Sequence, residues 1–131
     1  MTRFKFLFAA LALVAAVSLS SCNKDKEDPS ITLEEPTEHS HFNRGDHMHV
    51  HLKFEDDQEL KKVELEMANQ DGSHNHDFHF NDSADLSGTE QEYSADIDVP
   101  TSAPDVMWLH VTVTDEEGKE ASEAFMFHFD N

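Results

Sequence analysis

The sequence predicts an all-β domain, an immunoglobulin-like sandwich of about seven short antiparallel strands. Three observations carry this. Apolar and polar residues alternate in one short run after another, the period of a strand buried on one face only. Turn-forming residues, among them Gly45, Asp71-Gly72, Pro100, Pro104 and Gly118, separate these runs at short intervals, as they do in sandwiches. Beyond the N-terminal apolar run, no stretch repeats its apolar residues at helical spacing.

Residues 1–21 are predicted to be a signal and not fold. Arg3 and Lys5 make a short basic start, and Leu7 to Leu19 is an apolar run too short for a comfortable membrane span. It ends in Leu19-Ser20-Ser21-Cys22, which resembles the lipobox of a bacterial lipoprotein. That resemblance implies cleavage before Cys22 and a lipid on it. Cys22 is the sole cysteine of the chain, so no internal disulfide can form. Residues 22–30, charged and almost without apolar side chains, read as a lipidated tether. Residues 31–131 are then the domain.

The whole chain carries 28 acidic against 9 basic side chains, a net charge of −19. Loss of the signal removes Arg3 and Lys5 and no acid, so the mature chain is more negative still. Nucleic acid and anionic headgroups would repel it. Its expected contact with the membrane is the lipid on Cys22 alone, and its expected company is cationic.

Strands are predicted in order. Ile31 to Leu33 form a brief first strand, halted by Pro36, and residues 37–46 form a loop. His47-Met48-His49-Val50-His51-Leu52-Lys53-Phe54 is the clearest strand, with Met48, Val50, Leu52 and Phe54 toward a core and the histidines outward. Val63, Leu65 and Met67 alternate with glutamates in the next. Asp71-Gly72 predicts a two-residue hairpin turn, which would set Met67 opposite His76, Leu65 opposite Phe78, Val63 opposite Phe80 and Glu64 opposite His79. Residues 81–90 read as a loop. Tyr93 to Val99, Met107 to Val113 and Phe125 to Phe129 supply the last three strands.

Short motifs add a family likeness. Gly45-Asp46, Phe54-Glu55-Asp56-Asp57 with Leu60, and Val113-Thr114-Asp115 with Gly118 are similar to stretches of bacterial immunoglobulin-like domains. With His74-Asn75-His76 and the lipobox, the chain resembles an uncharacterised family of immunoglobulin-like lipoproteins of Bacteroidota, a domain of unknown function. The resemblance implies the fold and no activity.

The ten histidines are the functional signal. Neutral imidazole is a good ligand for zinc, copper and nickel. On a strand, residues at i and i+2 start roughly 6.8 Å apart, near enough to share one ion. Immunoglobulin-like topology would bring the loop at 37–46, the Asp71-Gly72 turn and the loop near Pro100 to one rim. His39, His41, His47, His74 and His76, with His49 in reserve, are the expected metal ligands there, zinc first and copper or nickel next. The competing reading is a polar rim of solvated histidines.

A second patch is expected from the last two strands. A register placing Trp108 opposite His128 and His110 opposite Met126 would make His110 and His128 diagonal neighbours, joined by Glu66 or His79, for metal or a partner. At the opposite rim Asp56, Asp57 and Asp115 could hold calcium, although such acids commonly shape turns instead. Phosphate loops and nucleophile elbows are lacking in the sequence, so no enzyme is expected. The sequence points to a metal-capturing or buffering lipoprotein of the outer membrane, periplasmic or surface-exposed. Its alternative is an adhesion or assembly module accessory to an outer-membrane protein complex.

Overall fold

A computed structural model describes residues 27–131. The signal, Cys22 and most of the tether lie outside the described residues. The rest is all strand and loop, eight strands in two sheets. They are β1 (Ser30–Glu35), β2 (His41–Asn43), β3 (His47–Glu55), β4 (Leu60–Ala68), β5 (Phe80–Asp85), β6 (Glu90–Asp98), β7 (Val106–Asp115) and β8 (Glu120–Asp130). One sheet runs β1-β3-β6 and the other β2-β8-β7-β4-β5. This is the immunoglobulin-like sandwich that the alternation predicts.

Burial follows the period of two. Met48, Val50, Leu52 and Phe54 of β3 face Val63, Leu65 and Met67 of β4 and Met107, Leu109, Val111 and Val113 of β7 in one core. Phe127 and Phe129 of β8 close it, with the ring of Phe78 edge-on to Phe129 at 5.2 Å. The polar residue between each buried pair is thereby fixed on an outer face.

Four details of the sequence reading are corrected. Residues 37–46 are not all loop: β2 pairs parallel with β8, His41 beside His128 and Phe42 beside Phe129. Three residues are too few to show a period. A turn forms at Asp71-Gly72, but not the two-residue one. Of the two residues only Gly72 has positive φ, at 82°. Its N–H donates to Asn69 O at 2.9 Å, so that Gln70 and Asp71 are central, and the turn does not set the hairpin register. Met67 lies opposite Phe80, Leu65 opposite Asp82, Glu64 opposite Ser83 and Val63 opposite Ala84. Side chains of the 69–79 loop compete for the hydrogen bonds a ladder would use. Asp71 Oδ1 accepts from Ser73 N, Asn75 Oδ1 accepts from Asp77 N, and Asn69 Oδ1 accepts from Asn75 Nδ2.

Third, β5 therefore occupies part of 81–90, read as loop because Asn81, Asp82, Ser83 and Asp85 are poor strand formers. Fourth, Trp108 lies opposite Met126, His110 opposite Ala124 and His128 opposite Val106. The tight turn at Asp115–Lys119, with Gly118 at φ 86° and its N–H on Asp115 O, fixes that register. His110 and His128 are not diagonal neighbours.

Candidate metal centre

The outer face of the three-stranded sheet sets imidazoles and one lysine on β3 beside carboxylates on β6. β3, the middle strand, presents His47, His49, His51 and Lys53. In register beside them on β6 stand Asp98, Asp96, Ser94 and Glu92. His49 Nδ1 donates to Asp96 Oδ1 at 2.7 Å. Lys53 Nζ lies 3.0 Å from both Glu55 Oε1 and Glu90 Oε1. Those two carboxylates, Glu55 foremost, hold the lysine above its ordinary range.

His51 is different. With Lys53 engaged by Glu55 and Glu90, Glu92 turns diagonally toward His51 instead. From the other side comes Glu34, the extra residue of a bulge in β1, where pairing shifts between Leu33–Leu52 and Glu35–His51. Bulges re-aim side chains, and this one brings Glu34 to the same imidazole. His51 Nε2 lies 3.7 Å from Glu34 Oε2 and 3.6 Å from Glu92 Oε2. All three donor atoms lie within 4.8 Å of one another, close enough together to hold an ion. His51 is half-buried, the two glutamates exposed.

The predicted ligands are placed elsewhere, in separate groups. Arg44 Nε donates to Ala103 O at 2.6 Å and Ser102 Oγ to Asp77 O at 2.7 Å, so the three loops do meet at one rim. Their histidines do not. His39 and His41 lie beside His128 on the β2–β8 edge, with ring centroids 6.1 and 4.7 Å from it. His74 contacts His76 and His79 within the 69–79 loop, at 5.2 and 4.4 Å. His47 and His49 stand on the outer face of β3, in register with Asp98 and Asp96 of β6. As placed, the six histidines are not one chelate.

The second predicted patch is likewise divided. His110 and Glu66 are register partners on β7 and β4, and line a polar groove of about 530 Å³ with Glu64, Asn81, Ser83 and Thr112. His110 Nε2 donates to Asn69 O at 2.8 Å. His79 has gone to His74, and His128 to His41. At the far rim Asp115 is fully buried, its Oδ1 accepting from Lys119 N at 2.9 Å. Burial and a hydrogen bond to Asp115 push the Asp56 carboxyl up to about 6. Asp57 N donates to Asp56 Oδ1 at 2.8 Å, so these acids shape the turn through local hydrogen bonds. Asp57 itself is exposed.

A family model for a domain of unknown function, DUF4625, matches residues 17–128. The chain belongs to the DUF4625 family. No curated protein matches this DUF4625 chain. Among solved structures it is similar to OgpA from Akkermansia muciniphila, seen in complex with an O-glycopeptide, at 17% identity and TM-score 0.56. That match covers 79% of this chain but 29% of OgpA. The sporulation control protein Spo0M of Bacillus subtilis matches at 11% identity and TM-score 0.52, over 79% of this chain and 49% of its own. A Niemann-Pick type C2 protein of the Japanese carpenter ant matches at 15% and 0.50, over 81% and 97%. At such identities the likeness is one of fold.

Glu34, His51 and Glu92 were not among the site residues expected from sequence. His49 and His51 carry the i, i+2 signal, but the acids come from strands separated from β3 in the chain. Laying the outer faces of β1 and β6 beside β3 would have found them.

Proposed function

We propose that this DUF4625 domain binds a divalent transition metal on the outer face of its three-stranded sheet, zinc first, copper or nickel next, for capture or buffering. One observation carries the reading: His51 Nε2 points between two carboxylates at 3.6 and 3.7 Å. Those distances are too long for hydrogen bonds. They are close to the ~3.3 Å between donors of a tetrahedral zinc with bonds of about 2.0–2.1 Å. Closing the set takes a few tenths of an ångström at each His51–glutamate distance and at most about 1.5 Å between the two glutamate oxygens, which lie within 4.8 Å of each other. Three protein ligands leave a position for water, as suits an ion that must be taken up and handed on.

Lipid anchoring through Cys22 at the cell envelope belongs to the same proposal. It is supported by the lipobox-like stretch Leu19-Ser20-Ser21-Cys22. The second reading, a non-enzymatic adhesion or assembly module, draws support from Trp108 and Met126. They are register partners on the outer face of the larger sheet and only partly buried.

Calorimetric titration of tag-free protein with zinc, beside His51→Ala and Glu92→Gln, tests the first reading. Heat that is the same for all three proteins removes the site. Co-purification from solubilised envelope with and without chelator tests the second, which a chelator-resistant partner would favour.

A further inference from the structure

We propose a second, histidine-rich metal site on the β2–β8 edge, with His41 and His128 as paired ligands, His39 as the third, and Asp130 orienting His41. It deepens the metal-binding reading but shares no residue with the site at His51. Parallel pairing sets His41 directly beside His128 on the outer face of neighbouring strands, which lie about 4.8 Å apart. Their rings are stacked, centroids 4.7 Å apart and planes 14° apart.

Two imidazoles on one tetrahedral ion have centroids roughly 5 Å apart, given metal–nitrogen bonds of about 2.0–2.1 Å. The centroid spacing therefore suits a shared ion, and what is needed is rotation about the bond from Cβ to the ring, chiefly at His128, while Asp130 holds the His41 ring or moves with it. That torsion is soft. His39 stands with its centroid 6.1 Å from His128, on the same side.

Three further features preorganise the group. Asp130 Oδ2 accepts from His41 Nδ1 at 2.8 Å, which fixes the tautomer and leaves Nε2 as the lone-pair donor. A carboxylate behind a histidine is the usual support of a metal ligand. His39 has φ 69°, a left-handed backbone uncommon for any residue but glycine, held there as its N–H donates to Met126 O at 2.8 Å. His128 N–H donates to Ser40 O at 3.0 Å, so the segment carrying His39 and His41 is fastened to β8 on both sides of the group. Hydrogen bonds and ion pairs to the side chains of His39 and His128 are absent among the described residues, so an ion would not have to displace one.

The donor sets separate the two sites chemically. Imidazole nitrogens suit copper(II), nickel and zinc, whereas two carboxylates and one imidazole make the harder set. The test is titration of the tag-free full chain with zinc and copper(II), using wild type, Glu34→Gln/Glu92→Gln, His41→Ala/His128→Ala and the four-fold variant. Two equivalents, one, one and none are expected. If His41→Ala/His128→Ala still takes up two equivalents, the edge site is overturned while the sheet site stands. If Glu34→Gln/Glu92→Gln loses nothing, the sheet site falls instead. Copper(II) bound to Glu34→Gln/Glu92→Gln supplies a readout in which no histidine is changed. Electron paramagnetic resonance should show coupling to at least two imidazole nitrogens, and coupling to one or none overturns the edge site.

Discussion

His49 Nδ1 and Asp96 Oδ1 lie 2.7 Å apart across the β3–β6 pair, so the central histidine of the strand is already satisfied by protein. Two residues on, His51 faces Glu34 and Glu92 and bonds neither. Neighbouring histidines of one face are thus engaged differently, and under the proposed function the ion falls to His51 and not to His49. His51→Ala should weaken zinc binding by more than the ~10–100-fold typical of losing a mere supporting group. His49→Ala should leave affinity within a few-fold. Calorimetric titrations of both variants check this, and equal losses would mean that the stripe binds by charge alone.

Lys53 holds Glu55 and Glu90, apart from the proposed ligands Glu34, His51 and Glu92. Replacing it with methionine should leave those carboxylates facing each other across the end of the sheet, in register as Glu55 and Glu90 are. The melting temperature should fall at low salt and recover toward wild type near ~1 M salt, where screening reaches about 3 Å. Zinc affinity should rise a few-fold, since a cation next to the site is gone. Thermal melts and titrations at two ionic strengths measure both effects.

Much of this arrangement was legible in the sequence, and the reason for what was not is specific. Alternation told which face each residue of β3, β4, β7 and β8 takes. It cannot tell register, because sliding a strand by an even number of residues preserves every face. Both register errors were of that kind. Phe80 and not His76 lies opposite Met67, and Met126 and not His128 opposite Trp108. Glu34, His51 and Glu92 are far apart in sequence, and only the order β1-β3-β6 brings them together. The bulge at Glu34 carries no sequence signal of its own.

Asp56 gives a pH signature opposite to the usual carboxylate. Its ordinary value of 3.8 is pushed up to about 6, by burial first and then by the hydrogen bond to Asp115. The folded state therefore prefers the protonated acid. Its contribution to stability is complete below the ordinary value and lost as pH rises through about 6. Asp56→Asn keeps an acceptor for Asp57 N and gains a donor toward Asp115 without any ionisation. Its melting temperature relative to wild type should increase from pH 4 to about pH 6 and level off above. A difference that does not vary with pH would show that Asp56 titrates normally.

Phe78 is the one buried residue of the 69–79 loop, and its ring meets Phe129 edge-on at 5.2 Å. The hydrogen bonds among Asn69, Asp71, Ser73 and Asn75 are exposed or nearly so, so the loop owes its position to this ring more than to them. Truncation leaves a cavity against Phe129, and Phe→Ala in a core costs about 3–5 kcal/mol. Phe78→Ala should lower the unfolding free energy by that much, moving the urea midpoint down with little change in slope, and release His74, His76 and His79 from their ring contacts. Amide exchange in 69–79 should speed up more than in β7. The site at Glu34, His51 and Glu92 lies on the other sheet and should keep its zinc affinity wherever the variant is still folded. Loss of both together would mean that the two sheets do not behave as separable layers and that the proposed centre depends on the whole core.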